Sequence, residues 1–249
     1  MAESFVNSYK PPAPLSLVEN YGPDPYDVNF VFPIHLSTLR SARVELTPFI
    51  PALHAAPFLA ELIAEPALLR WMPMAFSTLP EVLTFIETFA RADPNVIIFA
   101  VHDRPSRALA GIIGLLRTSA PNLCTEIGPV IIFPAYQGTY VGANAVGLIL
   151  NYCLELPTAS PPGLGLRRVQ WTANPINAPS VRAAQRLGLK MEGTMRWAMV
   201  LPDGKEGKQP RDGDPAGRKP GRDSVLLAIC ADDWEAGARA EVRQRIDRE

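Results

Sequence analysis

This chain has little of several things that would announce a function. Only three cysteines occur in 249 residues, Cys124, Cys153 and Cys230, each inside an apolar run. An odd count in such settings argues against a disulfide framework and reads as buried thiols in a reducing compartment. The three histidines, His35, His54 and His102, stand alone and no Cys-x-x-Cys occurs, so no metal site is expected. Charge of one sign is missing too: 24 basic against 25 acidic residues leave a net charge of −1. That balance offers no pull toward nucleic acid or an anionic membrane surface. No apolar run approaches the roughly 20 residues of a membrane span. The N-terminal stretch has neither the basic nor the apolar region of a signal peptide. The expectation is a soluble cytoplasmic protein, monomer or homodimer, with no nucleic-acid or membrane partner.

What the chain does have is 47% hydrophobic residues and 26 prolines. Residues 1–39 are rich in proline and aromatics without a sustained period, which predicts an arm lying partly extended across a domain. A strand is expected over Arg43–Pro48, then helices over Pro51–Glu65 and Thr78–Arg91. In the second helix Val82, Phe85, Ile86 and Phe89 recur at helical spacing. "VIIFAVH" (96–102), "ALAGIIGLL" (108–116) and "LCTEIGPVIIF" (123–133) read as three strands, the first two joined by the polar turn "DRPSR". Gly128-Pro129 interrupts the third; proline cannot donate to a ladder, so the strand either bulges or splays there. A helix with Val141, Ala145, Leu148, Ile149 and Tyr152 on one face comes next. A strand over Gly165–Ala173 leads to a short helix with Asn177 as N-cap, Pro179 in the first turn and Gly188 at its end.

"MRWAMVL" (195–201) and "SVLLAICA" (224–231) close the domain as a strand pair. Between them, nine of the 22 residues from 202 to 223 are Gly or Pro and eleven are charged. Such a segment predicts a mobile, solvated loop. Asp232 with Glu235 reads as a capping box for a polar helix over 232–249. The order β-α-α-β-β-β-α-β-α-β-β implies an α/β or α+β domain over 40–231, with one mixed sheet flanked by helices.

The clearest pointer to a ligand is "FPAYQGTYVGANAVGLILNYC", residues 133–153, where a strand passes through a glycine-containing loop into a helix. First-turn amides of a helix lack intrahelical acceptors and sit at the positive end of its dipole, so this geometry binds anions. Gln137, Gly138, Thr139, Tyr140, Val141, Gly142 and Ala143 supply the candidate backbone donors. Neither G-x-x-x-x-G-K-[ST] nor G-x-G-x-x-G is present. On local sequence alone, a plain turn reads equally well.

The pieces "SARVELTPF", "LLRWMPMAFSTLPEVLTFIE", "EIGPVIIFPAYQG" and "NAPSVRAAQRLGLKMEGTMR" follow one another in order. Together they resemble the GNAT superfamily of acyl-CoA N-acyltransferases, nearest the branch of ribosomal-protein alanine N-acetyltransferases and a fungal subgroup. The resemblance covers residues 40–231 and implies a centrally splayed sheet. It implies acetyl-CoA as co-substrate, with no metal. The acetyl group would pass directly to a primary amine, on a small molecule or a protein N-terminus. A non-catalytic acyl-CoA-binding protein on the same fold is the alternative. It also implies that the backbones of Ile131, Ile132 and Phe133 pair with pantetheine, that residues 138–143 hold the diphosphate, and that Asn177 and Ser180 contact the cofactor. Glu126 is the candidate general base, or else a salt-bridge partner. Ser180 stands where a proton donor to the departing sulfur is expected, or else serves only as a capping hydroxyl. Trp71 and Tyr136 either line the amine pocket or pack in the core. Two positions depart from the pattern: Tyr140 replaces an inner glycine, and Ala184 falls where a tyrosine acid is usual.

Overall fold

The run "VIIFAVH" shows no polar alternation because its strand is buried on both faces. In the computed structural model, which describes residues 6–11, 13, 16 and 19–247, Ile97, Phe99 and Val101 enter one core while Ile98 and Ala100 enter another. The strands are β1 (Val44–Pro48), β2 (Ile97–Asp103), β3 (Ala108–Ser119), β4 (Cys124–Ile132), β5 (Arg168–Ala173), β6 (Lys190–Val200) and β7 (Gly221–Cys230). They form one sheet in the order β1-β2-β3-β4-β5-β7-β6, and only the β4–β5 pair is parallel. One face packs on α1 (Pro51–Ala64) and α2 (Leu79–Phe85), which runs on as a π turn over Ile86–Arg91. The other face packs on α3 (Tyr140–Leu154), α4 (Ala178–Arg186) and the C-terminal α6 (Arg239–Asp247); α5 (Ala231–Asp233) leads into the last. This is the mixed, helix-flanked sheet the element order implied.

Caps explain several boundaries. Glu81 Oε2 accepts the amides of Ser77 and Thr78 at 2.7 and 2.9 Å, starting α2. Asn177 Oδ1 accepts the Ser180 amide at 3.3 Å, starting α4, and Gly188 stops it at φ 90°. The expected Asp232–Glu235 box is replaced by a neighbouring cap: Asp233 Oδ2 accepts the Cys230 amide at 3.1 Å. The C-terminal segment is also less solvated than its composition suggests. Trp234 and Val242 are buried, and a Cβ at Gly147 on α3 would sit 2.6 Å from Ile246, so the close approach requires glycine.

Two further expectations change. β6 starts at Lys190, well before "MRWAMVL", because it is the outer edge strand, with exposed residues from Lys190 to Trp197 and no inward alternation to reveal it. The charged 202–223 segment is held rather than free. Gly221–Asp223 already belong to β7, and Lys208 and Gly221 exchange two backbone hydrogen bonds of 2.8 and 2.9 Å. Lys205 Nζ donates to the Leu69 carbonyl at 2.5 Å, and Lys208 Nζ to Asp223 at 2.5 Å.

Candidate functional site

The site is built where β4 and β5 part. They pair in parallel from Cys124↔Arg168 to Ile127↔Trp171 and no further. Beyond that point β5 continues against β7, while Gly128 and Pro129 carry β4 away beside β3. Proline has no N–H for the ladder, and Gly114 on β3 lets the chains close up there. A Cβ on Gly114 would meet the Gly128 carbonyl at 2.6 Å. Of the two readings of Gly128-Pro129, the geometry is therefore splay between β4 and β5, with a register shift on the β3 side.

Backbone direction decides which β4 groups face the gap. The Phe133 amide donates to Ala110 at 2.9 Å, so its polar groups point at β3, and the period of two turns Ile131 the same way. Of Ile131, Ile132 and Phe133, only Ile132 lies on the open side, joined by Val130. The Ile132 carbonyl already accepts Gln137 Nε2 at 2.8 Å, which fixes the start of the loop.

The loop then turns through Pro134–Tyr136 and Gly138, at φ 73°, into α3. Thr139 caps that helix by accepting the Val141 amide at 3.3 Å. The amides of Tyr140 and Gly142 have no acceptor among the described residues. A Cβ on Gly138 would meet nothing within 4 Å, and one on Gly142 only Ile132 at 3.8 Å, so the mouth of the loop is open. These observations fit a bound diphosphate, with an extended amide-bearing chain along Val130 and Ile132. The Tyr140 side chain does not intrude, since its hydroxyl donates to Asp103 Oδ1 at 2.5 Å on β2.

At the other end of the gap, Glu126 is buried on the α1/α2 side of the sheet. Its carboxylate receives three donors: Arg117 Nη1 at 2.5 Å, Gln170 Nε2 at 2.9 Å and Thr172 Oγ1 at 2.6 Å. Thr172 bonds Oε1 and the other two share Oε2, so Oε1 keeps the freer lone pair. The salt-bridge reading of Glu126 is thus true of its geometry, and it stands at the splay as well. None of its three partners was legible in the sequence. Gln170 and Thr172 arrive through strand register, and Arg117 through an irregularity in the β3–β4 ladder.

Ser180 lies on the opposite face. Trp171, the last β5 residue paired with β4, donates its indole N–H to Ser180 Oγ at 3.0 Å. Ser180 thereby keeps its own proton to give, beside the parting strands. Its amide contributes to the Asn177 cap, so the two readings of Ser180 coexist. Ala184 is fully buried in the core, and no tyrosine acid stands there. Trp71 flanks the Glu126 face: its carbonyl accepts Arg222 Nη1 at 2.9 Å. Arg222 lies close enough to Glu126 for that carboxylate to favour its charge. Tyr136 is not brought to this end. Its hydroxyl lies 3.3 Å from Ser106 on the β2–β3 turn, and the loop that carries it follows β4, six residues or about 20 Å beyond Glu126. Among the described residues one cluster of potential metal ligands, Cys230 with Asp232 and Asp233, forms away from this site, but Asp233 is already paired with Lys190. Among the described residues no helix is long and apolar enough to cross a membrane.

The family described as "Acetyltransferase (GNAT) domain" matches residues 43–190, more than half of the chain. No curated protein matches it. Among solved structures, a GCN5-related N-acetyltransferase from Brucella melitensis has a TM-score of 0.64 at 25% identity, covering 83% of this chain and 84% of that one. RimJ from Mycobacterium smegmatis, solved in complex with CoA-disulfide, has a TM-score of 0.59 at 21% identity, covering 81% and 88%. Ribosomal-protein-S5-alanine acetyltransferase from Vibrio fischeri gives 0.56 at 17% identity, covering 78% and 97%. The latter two share the fold with this chain, and the family match over the splayed strands, the loop and α3 makes the assignment plain: the chain belongs to the GNAT acetyltransferase family.

Proposed function

We propose that this protein transfers an acetyl group from acetyl-CoA to a primary amine, the amine attacking directly within a ternary complex. The parting of β4 from β5 carries the reading, because it sets an anion cradle at one end of a gap and an anchored carboxylate at the other. Acetyl-CoA supplies the activated thioester carbonyl. Val130 and Ile132 present backbone groups along the gap, and the Tyr140 and Gly142 amides receive the diphosphate. Glu126, on the acceptor face, draws in the ammonium and takes its proton through Oε1, leaving a neutral amine. Ser180, on the other face, holds a proton ready for the departing sulfur. A cysteine nucleophile has no part, and burial pushes the Cys153 thiol far above its usual range, keeping it neutral.

The test is calorimetric titration with acetyl-CoA, followed by thiol release with an amine panel. Binding with amine-dependent thiol release is expected. Binding without release would identify an acyl-CoA-binding protein instead, and no binding would sink both readings. Glu126→Gln is expected to lower kcat about 100-fold with acetyl-CoA affinity unchanged; full turnover in that variant would remove Glu126 as the base.

A further inference from the structure

Arg222 is the one buried arginine among the described residues, with 6% of its surface exposed. Glu126, the buried carboxylate on the same face, has Arg117 as its opposite partner, but among the described residues no carboxylate lies within salt-bridge distance of Arg222. Its two hydrogen bonds go to neutral acceptors, the Trp71 carbonyl at 2.9 Å and Ser224 Oγ at 2.9 Å. Its Nε–H has no partner among the described residues. A guanidinium taken out of water without a counter-charge is costly, and burial does oppose its charge here. The local carboxylates are committed elsewhere. Asp223 holds Lys208 and the Trp197 amide, Glu206 faces Arg70 at 3.6 Å, and Glu126 is shared among Arg117, Gln170 and Thr172.

The placement of this charge is not arbitrary. Thr172 pairs with Leu226 and Gln170 with Ala228, so the period of two puts Ser224 and Arg222 on the same face of the sheet as Glu126. Trp71, whose carbonyl Arg222 holds, belongs to the same wall. This face of the sheet therefore carries an anionic group at Glu126 and, near it, a cationic group at Arg222 that has no salt-bridge partner of its own among the described residues.

We propose that Arg222 reads a carboxylate on the acceptor, so that the amine acetylated is that of a small amino carboxylic acid. This rests on the transfer reading above and adds the substrate class. The ammonium goes to Glu126 and the carboxylate to Arg222, where it engages the partnerless Nε–H and competes with the neutral Trp71 carbonyl for the guanidinium. A charged acceptor is the stronger one there. A peptide N-terminus would offer only a neutral carbonyl at that position.

The experiment uses the full chain with acetyl-CoA and compares amino carboxylic acids of increasing amine–carboxylate separation with their carboxamides, their decarboxylated amines and a tripeptide. At least one acid is expected to exceed its carboxamide in kcat/KM by about 10-fold or more. Arg222→Gln and Arg222→Lys should each raise the KM of that acid about 10-fold while leaving the KM of its carboxamide and of acetyl-CoA in place. Equal or better turnover of the carboxamide, the decarboxylated amine or the tripeptide would overturn the proposal, and so would an acid-to-carboxamide ratio unmoved by Arg222→Lys. The comparison of ligands needs no variant, so it stands if Arg222→Gln fails to fold. If no amine releases thiol, the transfer reading fails on its own. Calorimetry of the acids against CoA-loaded protein then decides the role of Arg222: binding of an acid but not its carboxamide supports it, and no acid binding overturns it.

Discussion

At the scale of single residues, Tyr140 shows how a side chain can occupy a position where glycine is expected. Its hydroxyl donates to Asp103, and the Arg43 guanidinium lies 3.3 Å from the ring centroid. Burial alone would raise the Asp103 carboxyl. The hydrogen bonds from Ser106 and Tyr140, with the Arg43 charge, outweigh it and hold the group below its ordinary range. The same bond to Asp103 pushes the phenol of Tyr140 up, so it stays protonated and donating. The side chain thus serves the β2 end of the sheet while the backbone serves the loop. Tyr140→Phe is expected to cost about 1–3 kcal/mol in urea unfolding, since the lost hydrogen bond is to a charged group. Acetyl-CoA affinity should stay within about threefold, because the amide is unchanged; a much larger loss would show that the phenol itself serves the cradle. The sequence indicates only that this side chain must turn away from the phosphates or that the pyrophosphate must sit differently. Where it turns depends on Asp103, 37 residues distant, which strand pairing and not spacing brings near.

At the scale of elements, α1 begins without any of the usual capping side chains: Ile50 precedes Pro51. His54 does the work instead, its Nδ1 accepting the Ile50 amide at 2.8 Å. Accepting at Nδ1 requires the neutral ring, and burial, with the neighbouring His102, draws the His54 pKa down to about 4. The unfolded value is higher, about 6.5, so the unfolded chain takes up this proton first. The stabilisation is complete above about pH 6.5 and is lost as pH falls toward 4, with a slope of up to about 1.4 kcal/mol per pH unit. His102 is lowered as well, mainly by burial, and adds in the same direction. His54→Gln, which keeps an acceptor but does not titrate, should flatten the urea midpoint against pH in that window. An unchanged slope would place the acid sensitivity elsewhere. Elements with one strongly periodic face, such as α3, or buried on both faces, such as β2, were legible to within a few residues. β6 was not, because an exposed edge strand has no inner face to impose a period, and α1 could be placed although its cap could not.

At the scale of the whole molecule, long-range register assembles what local pattern could not. Glu126, Asn177 and Ser180 were legible as candidates through their segments, whereas Arg117, Gln170, Thr172 and Arg222 become neighbours of the site only when β3, β4, β5 and β7 lie side by side. The N-terminal arm is the same lesson at larger range. Its composition suggested a segment laid over a finished domain, yet its bonds reach both helical layers. On one side Tyr26 Oη donates to Glu87 at 3.0 Å, Asn29 Nδ2 to the Arg91 carbonyl at 2.7 Å, and the Val31 amide to Pro94 at 2.8 Å. On the other, Tyr152 Oη donates to the Pro33 carbonyl at 2.8 Å and Thr38 Oγ1 to that of Pro162 at 2.5 Å. Tyr152 is buried, so losing Pro33 would strand its hydroxyl, and losing Tyr26 would leave the buried Glu87 with Arg91 as its remaining partner. Val28, Phe30, Phe32 and Ile34 pack on the core, and Leu39 is wholly inside it. Uncovering those side chains costs on the order of 5 kcal/mol or more, a large share of the 5–15 kcal/mol that holds a typical domain together. A chain starting at residue 40 is therefore expected to melt about 10–20 °C lower than the full chain, or to fail to fold. Every residue named in the candidate gap would still be present, so on the proposed function acetyl-CoA should raise the melting temperature of whatever folded fraction remains. A truncated chain that melts with the full-length one would show that the domain is complete from residue 40 and that the arm merely rests on it.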